Sequence, residues 1–400
     1  MARRHIAIFT LMGKGHLSPV LPLCSELVRR GYRVSCAVTS RFIAPVIATG
    51  AEPVLYRAAP ATEALRAENE RRAQSSLDDP ARFETSDLEW EHLIRDTDSF
   101  LAQVGPFYAE HRPDLIVYNR YSIPARIIAR RCQRRAVQFS PHFAYPGRTR
   151  YWDRGMCVSP PAMNRYAERL DELFHAHDLR AEGNLWHTEL LNIHFLPRQF
   201  QYCADLFDET FLFVGSRSSQ RTTIASTAPV ILVSGYSGLA ETQTSNLRYF
   251  RMFLEAIAGM RCHGILSVGE EMPVDSLAPL PDNVEINRDR PNAELVCRAS
   301  VFACHGGMSS TLEALCSGVP VLAVPGSPYT LEVAHRVAEL RLGRVVPQSE
   351  LSVAALRQNL EHMIDDQALH ERTRDMQRIF AESGGAASAA NAVETFLSSL

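Results

Sequence analysis

The chain has 400 residues, more than one ordinary hydrophobic core needs, and suits two domains of roughly 200 residues each. A hydrophobic share of 46% with 22% charged residues excludes a disordered or fibrous chain. A net charge of −3, with Lys and Arg scattered, leaves no basic stripe for a nucleic-acid backbone.

His5–Leu11 predicts a first buried strand. Arg3 and Arg4 ahead of it imitate a signal peptide, but the apolar run is too short for one. Gly13-Lys-Gly-His-Leu-Ser-Pro19 predicts a Gly-rich loop, Val20–Arg30 a helix stopped at Gly31, and Arg33–Val38 a second strand. Ala61–Asp98, rich in Glu, Arg and Ala, reads as a helical insertion over a substrate cleft. Asp114–Tyr118 predicts a strand, Pro124–Arg131 a helix and Ala136–Phe139 a strand, while Tyr145–Phe195 reads as irregular to helical. The polar stretch Ser216–Pro229 reads as a linker.

The alternation then restarts. Strands are expected at Val230–Ser234, Gly264–Val268, Val284–Ile286, Val301–Ala303 and Val321–Val324. Helices are expected at Asn246–Ala258, Thr311–Ser317 and Thr330–Leu340, with two more at the end. The fold class is α/β, with parallel sheets covered on both faces and the same architecture used twice. Nine cysteines, an odd number without a Cys-x-x-Cys pair, read as buried free thiols of a cytoplasmic protein. No apolar stretch is long enough to span a bilayer, and no His/Asp/Glu set has metal-ligand spacing.

The chemistry concentrates in the loop His305-Gly-Gly-Met-Ser-Ser-Thr-Leu-Glu313. A strand runs into Gly306-Gly307 and a helix is expected to begin near Ser309 or Ser310. The glycines let backbone approach an anion, and the helix N–H groups and positive end point at it. Ser309 and Ser310 are candidate caps and hydroxyl donors. Glu313, one turn on, suits a ribose diol. A strand–loop–helix turn with glycines for tightness is the plain alternative.

His305-x-Gly307-x-Ser309-Ser310-x-x-Glu313, followed by Gly318-Val319-Pro320 and Pro325, resembles the signature of the family 1 UDP-glycosyltransferases, which include the macrolide and plant natural-product enzymes. Gly13-x-Gly15-His16-x-x-Pro19 and Gly384-Gly385 extend the resemblance along the chain. It implies the GT-B architecture: two facing doubly wound, Rossmann-like domains. Residues 1–215 would bind the acceptor and 230–383 the nucleotide sugar across a linker at 216–229. A helix at 384–400 would pack back on the N-terminal domain. It also implies inverting transfer from a UDP- or TDP-sugar, with no cofactor or metal. Met308 joins His305, Gly307, Ser309, Ser310 and Glu313 in the implied donor set, and the strand-end Ser234 and Gly235 join it unless they form a plain turn. The implied acceptor set is His142, Tyr145 and Trp152. The acceptor would be small and apolar, and a homodimer is compatible with the chain.

Four positions depart from that pattern. Lys14 stands where the macrolide enzymes carry the catalytic histidine, and an ordinary lysine is protonated at neutral pH. Lys14 could instead contact a donor phosphate or an acidic acceptor. His16, two residues on, is the preferred base, against the alternative that it has no catalytic role. Asn119 ends a strand where the histidine-orienting Asp usually lies; it can hydrogen-bond a ring but cannot balance an imidazolium. Arg288 replaces a base-stacking Trp and can stack as a planar cation. Tyr329-Thr330 replace an acidic residue and Gln that bind sugar hydroxyls, which favours a deoxygenated or modified sugar, unless this loop touches no sugar. Glu332 lies close enough to substitute. Against an active transferase on a natural product stand two alternatives: a different transfer in the same fold, and a nucleotide-binding auxiliary protein without activity.

Overall fold

The computed structural model describes residues 3–11, 13–58, 60, 87–145, 160–178, 187–215, 228–235, 243–269, 272–288 and 292–399. Contacts divide the described residues into two units, one holding those up to 60, those from 87 to 215 and the C-terminal 383–399, the other holding those from 228 to 382. Residues 216–227 of the expected linker, 61–86 of the expected insertion, and Trp152 lie outside the described residues.

The first unit contains β1 (His5–Phe9), β2 (Arg33–Val38), β3 (Glu52–Leu55), β4 (Leu115–Asn119), β5 (Ala136–Ser140), β6 (Asn192–His194) and β7 (Phe211–Phe213). These form one parallel sheet in the order β3-β2-β1-β4-β5-β6-β7. Its helices are α1 (Lys14–Leu17), α2 (Leu21–Arg29), α3 (Ile43–Ala48), α4 (Asp87–Glu110), α5 (Ile123–Arg131) and α6 (Pro160–Ala176). Every residue of β1 is buried, because a strand inside a parallel sheet is covered on both faces. Ile6 and Ile8 pack with Leu23 and Leu27 of α2, while Ala7 and Phe9 pack with Phe100 and Val104 of α4. That split is the period of two built into a strand, and burying Phe9 completely stabilises the unit by about 2–3 kcal/mol.

The second unit repeats the plan. β8 (Val230–Ser234), β9 (His263–Ser267), β10 (Val284–Asn287), β11 (Val301–Cys304), β12 (Val321–Ala323) and β13 (Gly343–Val345) form a parallel sheet in the order β10-β9-β8-β11-β12-β13. Its helices are α7 (Gln243–Ile257), α8 (Asn292–Val296), α9 (Met308–Cys316), α10 (Pro328–Glu339), α11 (Val353–Asp365) and α12 (Gln367–Glu382). The last helix, α13 (Gly385–Ser398), returns to the first unit, where Ala389, Ala390, Val393 and Leu397 join the core beside α2. Arg30 fastens it: its guanidinium pairs with Glu26 at 2.8 Å and with Glu394, and donates to Asn391 at 2.7 Å.

Several sequence expectations are corrected. The Gly13–Pro19 loop contains a helical turn, α1, because His16 N–H and Leu17 N–H both reach back to the Gly13 carbonyl at 3.1 Å. The end of the supposed insertion, from Asp87, is the start of a long helix that runs on to Glu110 and covers the sheet with Phe100, Val104 and Tyr108. β3, β6, β7 and β13 went unread, since each has only three or four residues.

Candidate functional site

In a doubly wound parallel sheet, ligands meet the carboxyl ends of the strands where the winding reverses. That point lies between β1 and β4 in the first unit and between β8 and β11 in the second. His16 and Asn119 fall at the first of these places, and Ser234, Gly235 and His305–Ser310 at the second, while His142 follows β5, Arg288 follows the edge strand β10 and Tyr329 and Thr330 follow β12.

In the first unit, α1 follows β1 and carries His16, and Asn119 ends β4. The Asn119 side-chain nitrogen stands 3.2 Å from His16 Nδ1, and its side-chain oxygen accepts the Tyr121 N–H at 3.1 Å. The His142 ring packs edge-on to His16 at 4.9 Å between centroids. His194, at the end of β6, donates from Nδ1 to the His142 carbonyl at 2.9 Å, since a carbonyl can only accept. Burial pushes both His16 and His194 down to about 4. Burial also holds His142 well below its ordinary value, helped by the charges of His16, His194 and Arg120. These rings are therefore neutral near pH 7. Arg120, buried directly after β4, lies over the Tyr145 ring at 5.3 Å. Lys14 sits in α1, with its side chain outside the described set.

The pairing of His16 with Asn119 bears on the expected base. An amide nitrogen donates, so Nδ1 accepts and the ring proton sits on Nε2. A base acting through Nε2 needs that nitrogen bare, as it would be opposite a carboxylate. The expectation that His16 takes the acceptor proton therefore runs against the hydrogen-bond direction found here.

In the second unit, β11 leads into His305, Gly306 and Gly307, and α9 begins at Met308 with Gly307 as its N-cap. Gly306 has φ +80°, and a side chain there would meet the Thr330 carbonyl at 2.8 Å. A Cβ on Gly307 would lie 2.4 Å from His305 Nε2. The imidazole thus lies directly over the bare Gly307 backbone at the start of the helix. Burial lowers His305 to about 4, so it is a neutral imidazole. The helix starts earlier than expected: Ser309 and Ser310 occupy its first turn and do not cap it, and no side chain caps Gly307. The first-turn N–H groups and positive helix end suit an anion. The Met308 side chain is buried, so only its backbone can serve a ligand there. Glu313 is one turn on and half-buried.

Ser234 ends β8 and accepts a hydrogen bond from Asn292 at 2.8 Å, keeping its own proton to donate. Gly235 is required by packing, since a Cβ there would meet the Phe250 ring at 2.7 Å. Arg288 is exposed at the end of β10, and its guanidinium donates to the Met272 carbonyl. Tyr329 and Thr330 lie in the first turn of α10. The Thr330 hydroxyl accepts N–H bonds from Gly326 at 3.1 Å and Ser327 at 3.0 Å, and donates to the Ser327 carbonyl at 2.9 Å. Those three bonds use it fully, and the one from the Ser327 N–H is half of the capping box of α10. It shapes the loop and offers no free hydroxyl to a sugar. Sequence reasoning missed Arg120, His194 and Asn292; a buried polar residue at the end of a parallel strand was the signal for the first two.

The family resemblance can be tested on this geometry. Residues 252–393 match the family model described as erythromycin biosynthesis protein CIII-like, C-terminal domain. The NDP-glycosyltransferase YjiC of Bacillus licheniformis is 30% identical over 407 residues, covering 99% of this chain and 98% of that protein. The oleandomycin glycosyltransferase of Streptomyces antibioticus is 29% identical over 412 residues, covering 98% and 91%. Among solved structures, CalG4, the calicheamicin glycosyltransferase, matches with a TM-score of 0.79 at 30% identity, over 100% of this chain and 99% of that one. With sequence and fold alike matched along nearly the full length, this chain is a glycosyltransferase and belongs to the GT-B family of nucleotide-sugar enzymes that includes the antibiotic glycosyltransferases.

Proposed function

We propose that this glycosyltransferase moves a sugar from a nucleoside diphosphate sugar, with inversion at the anomeric carbon, to a small natural-product acceptor of secondary metabolism. The observation that carries the donor assignment is the His305 imidazole laid over Gly307 at the uncapped start of α9. That arrangement aims N–H donors and a helix dipole at one place, which is what a diphosphate leaving group requires as its charge grows. The names of the relatives, an oleandomycin and a calicheamicin glycosyltransferase, support the acceptor class.

In this reading the second unit binds the donor and the first unit the acceptor. The backbone from Gly307 to Ser310 and the His305 ring hold the diphosphate, with Ser234 donating its remaining proton. Glu313 accepts from the ribose, Arg288 stacks on the base, and Tyr329 lies against the sugar. A modified or deoxygenated sugar fits best, because Thr330 has no hydroxyl to spare. His16, Asn119, His142 and Tyr145 form the acceptor end.

A thermal-shift screen of UDP- and TDP-sugars, followed by nucleotide release with a phenolic acceptor panel, tests the proposal. The expected result is a stabilising shift with at least one donor, lost in His305→Ala. If no nucleotide sugar raises the melting temperature, the donor assignment fails.

A further inference from the structure

Asn119 fixes the tautomer of His16 through the backbone. Its side-chain oxygen accepts the N–H of Tyr121, two residues on, in an Asx turn. The amide –NH2 must then point the other way, toward His16 Nδ1 at 3.2 Å. Turning the amide over would set its –NH2 against the Tyr121 N–H, two donors with no acceptor between them. Nδ1 is thus held as an acceptor and Nε2 keeps the proton. His194 shows the opposite arrangement, with its proton on Nδ1. Among the described residues, the contact of Nδ1 with Asn119 is the hydrogen bond the His16 ring makes, which leaves the Nε2–H to offer. An aspartate at 119 would reverse the sense: one oxygen would take the Tyr121 N–H, the other would take Nδ1–H, and Nε2 would be bare.

The charges around the ring agree with a donor role. Arg120, buried next to Asn119, acts electrostatically on His142 and His194, and His142 packs on His16. Among the described residues, burial alone sets His16, and the fixed charge acting on His142 and His194 is the Arg120 cation. This end of the unit presents the His16 Nε2–H near a cation, a setting that stabilises an anion and gives no help to a group that must become positive.

We infer that His16, oriented by Asn119, is a hydrogen-bond donor to an acceptor oxygen that is already ionised, so that the sugar acceptor is an acidic hydroxyl, a phenol or enol, and not an aliphatic alcohol. The inference rests on the glycosyl transfer proposed above. The acceptor loses its proton to solvent before the chemical step. A lone pair of its oxyanion forms the bond to the anomeric carbon, and the bond from that carbon to the phosphate oxygen breaks, its electron pair leaving on the diphosphate. His16 keeps its Nε2 proton throughout, binding the phenolate and easing its ionisation. Asn119 is a positioning residue that acts only through the ring.

The test compares wild type with Asn119→Asp, using a nucleotide sugar that calorimetry shows to bind. Acceptors are a series of phenols of decreasing pKa and matched benzyl alcohols. In wild type, kcat/KM should follow the ionised fraction of the phenol as pH rises, and benzyl alcohols should be slower by ~10²-fold or more. Asn119→Asp should raise the benzyl alcohol rate by ~10²-fold and add a limb to its pH profile from the histidine. ¹⁵N NMR of the ring should find the bare nitrogen at Nδ1 in wild type and at Nε2 in Asn119→Asp. Wild type that uses benzyl alcohols as fast as phenols, or that carries its proton on Nδ1, overturns the inference. If no donor binds, the glycosyl-transfer reading fails instead, and the NMR still reports the tautomer on its own.

Discussion

Gly307→Ala isolates the contact between His305 and the start of α9. Gly307 has φ −63° and ψ 138°, which alanine adopts without strain. The new Cβ would lie 2.4 Å from His305 Nε2, 3.1 Å from Cε1 and 3.3 Å from Cδ2. The imidazole must retreat by about 1 Å to reach ordinary contact distance. Folding should hardly notice: alanine is a poorer N-cap than glycine, but it also restricts the unfolded chain, and the two effects oppose each other within about 1 kcal/mol. Catalysis should notice, because a misplacement of about 1 Å can cost ~10²-fold and losing one preorganised donor costs ~10²–10³-fold. Scanning fluorimetry without donor should show a melting temperature shifted by less than about 4 °C. Steady-state assays should show kcat down by ~10²-fold, matched by His305→Ala. The double variant should lose nothing more, since both changes act through one ring. A Gly307→Ala enzyme that keeps its kcat within a few-fold of wild type would refute the reasoning, as would losses that multiply in the double variant.

Two further expectations concern stability. Thr330→Val strips the N–H groups of Gly326 and Ser327 of their acceptor and should destabilise the ligand-free protein by about 1–3 kcal/mol, while Thr330→Ser should be nearly silent. An unchanged urea midpoint for Thr330→Val, together with weaker donor binding, would return this residue to the sugar. The second expectation is acid sensitivity. His16, His194 and His305 titrate near 4 in the folded chain against 6.5 as the ordinary value, so the unfolded chain binds protons first as pH falls. Their contribution is complete above about pH 6.5 and is lost progressively toward about pH 4, at about 1.4 kcal/mol per pH unit for each ring. Urea midpoints measured between about pH 7 and about pH 5 should fall, and His194→Asn should flatten the slope by about one proton. An unchanged slope in that variant would contradict the assignment.

The chain's periodicities were enough to read the architecture. Val230–Ser234 is a strand over the expected residues, and the helix read at Val20–Arg30 lies at Leu21–Arg29, because a strand covered on both faces must be apolar throughout and a helix must repeat its apolar stripe. The glycines of His305–Glu313 announced a close backbone approach to an anion, and the structure adds that the His305 ring stands over that same backbone. Length and spacing could not reveal β6 or the full extent of α4, since three residues carry too little pattern and a helix of mixed polarity is identified only by what it covers.

Hydrogen-bond direction was beyond the sequence altogether. Lys14, His16 and Asn119 were visible as departures from a familiar pattern, and the sequence alone determined that no carboxylate stands at 119. Only the tertiary structure decided that Asn119 spends its oxygen on the Tyr121 N–H and turns its nitrogen to His16, bringing together two residues 103 positions apart in the chain. Likewise, Thr330 is a polar residue in a promising loop until folding places its hydroxyl among two N–H groups and a carbonyl. A sequence records which donors and acceptors a chain carries; which of them remain free is settled by the geometry that brings distant segments into contact.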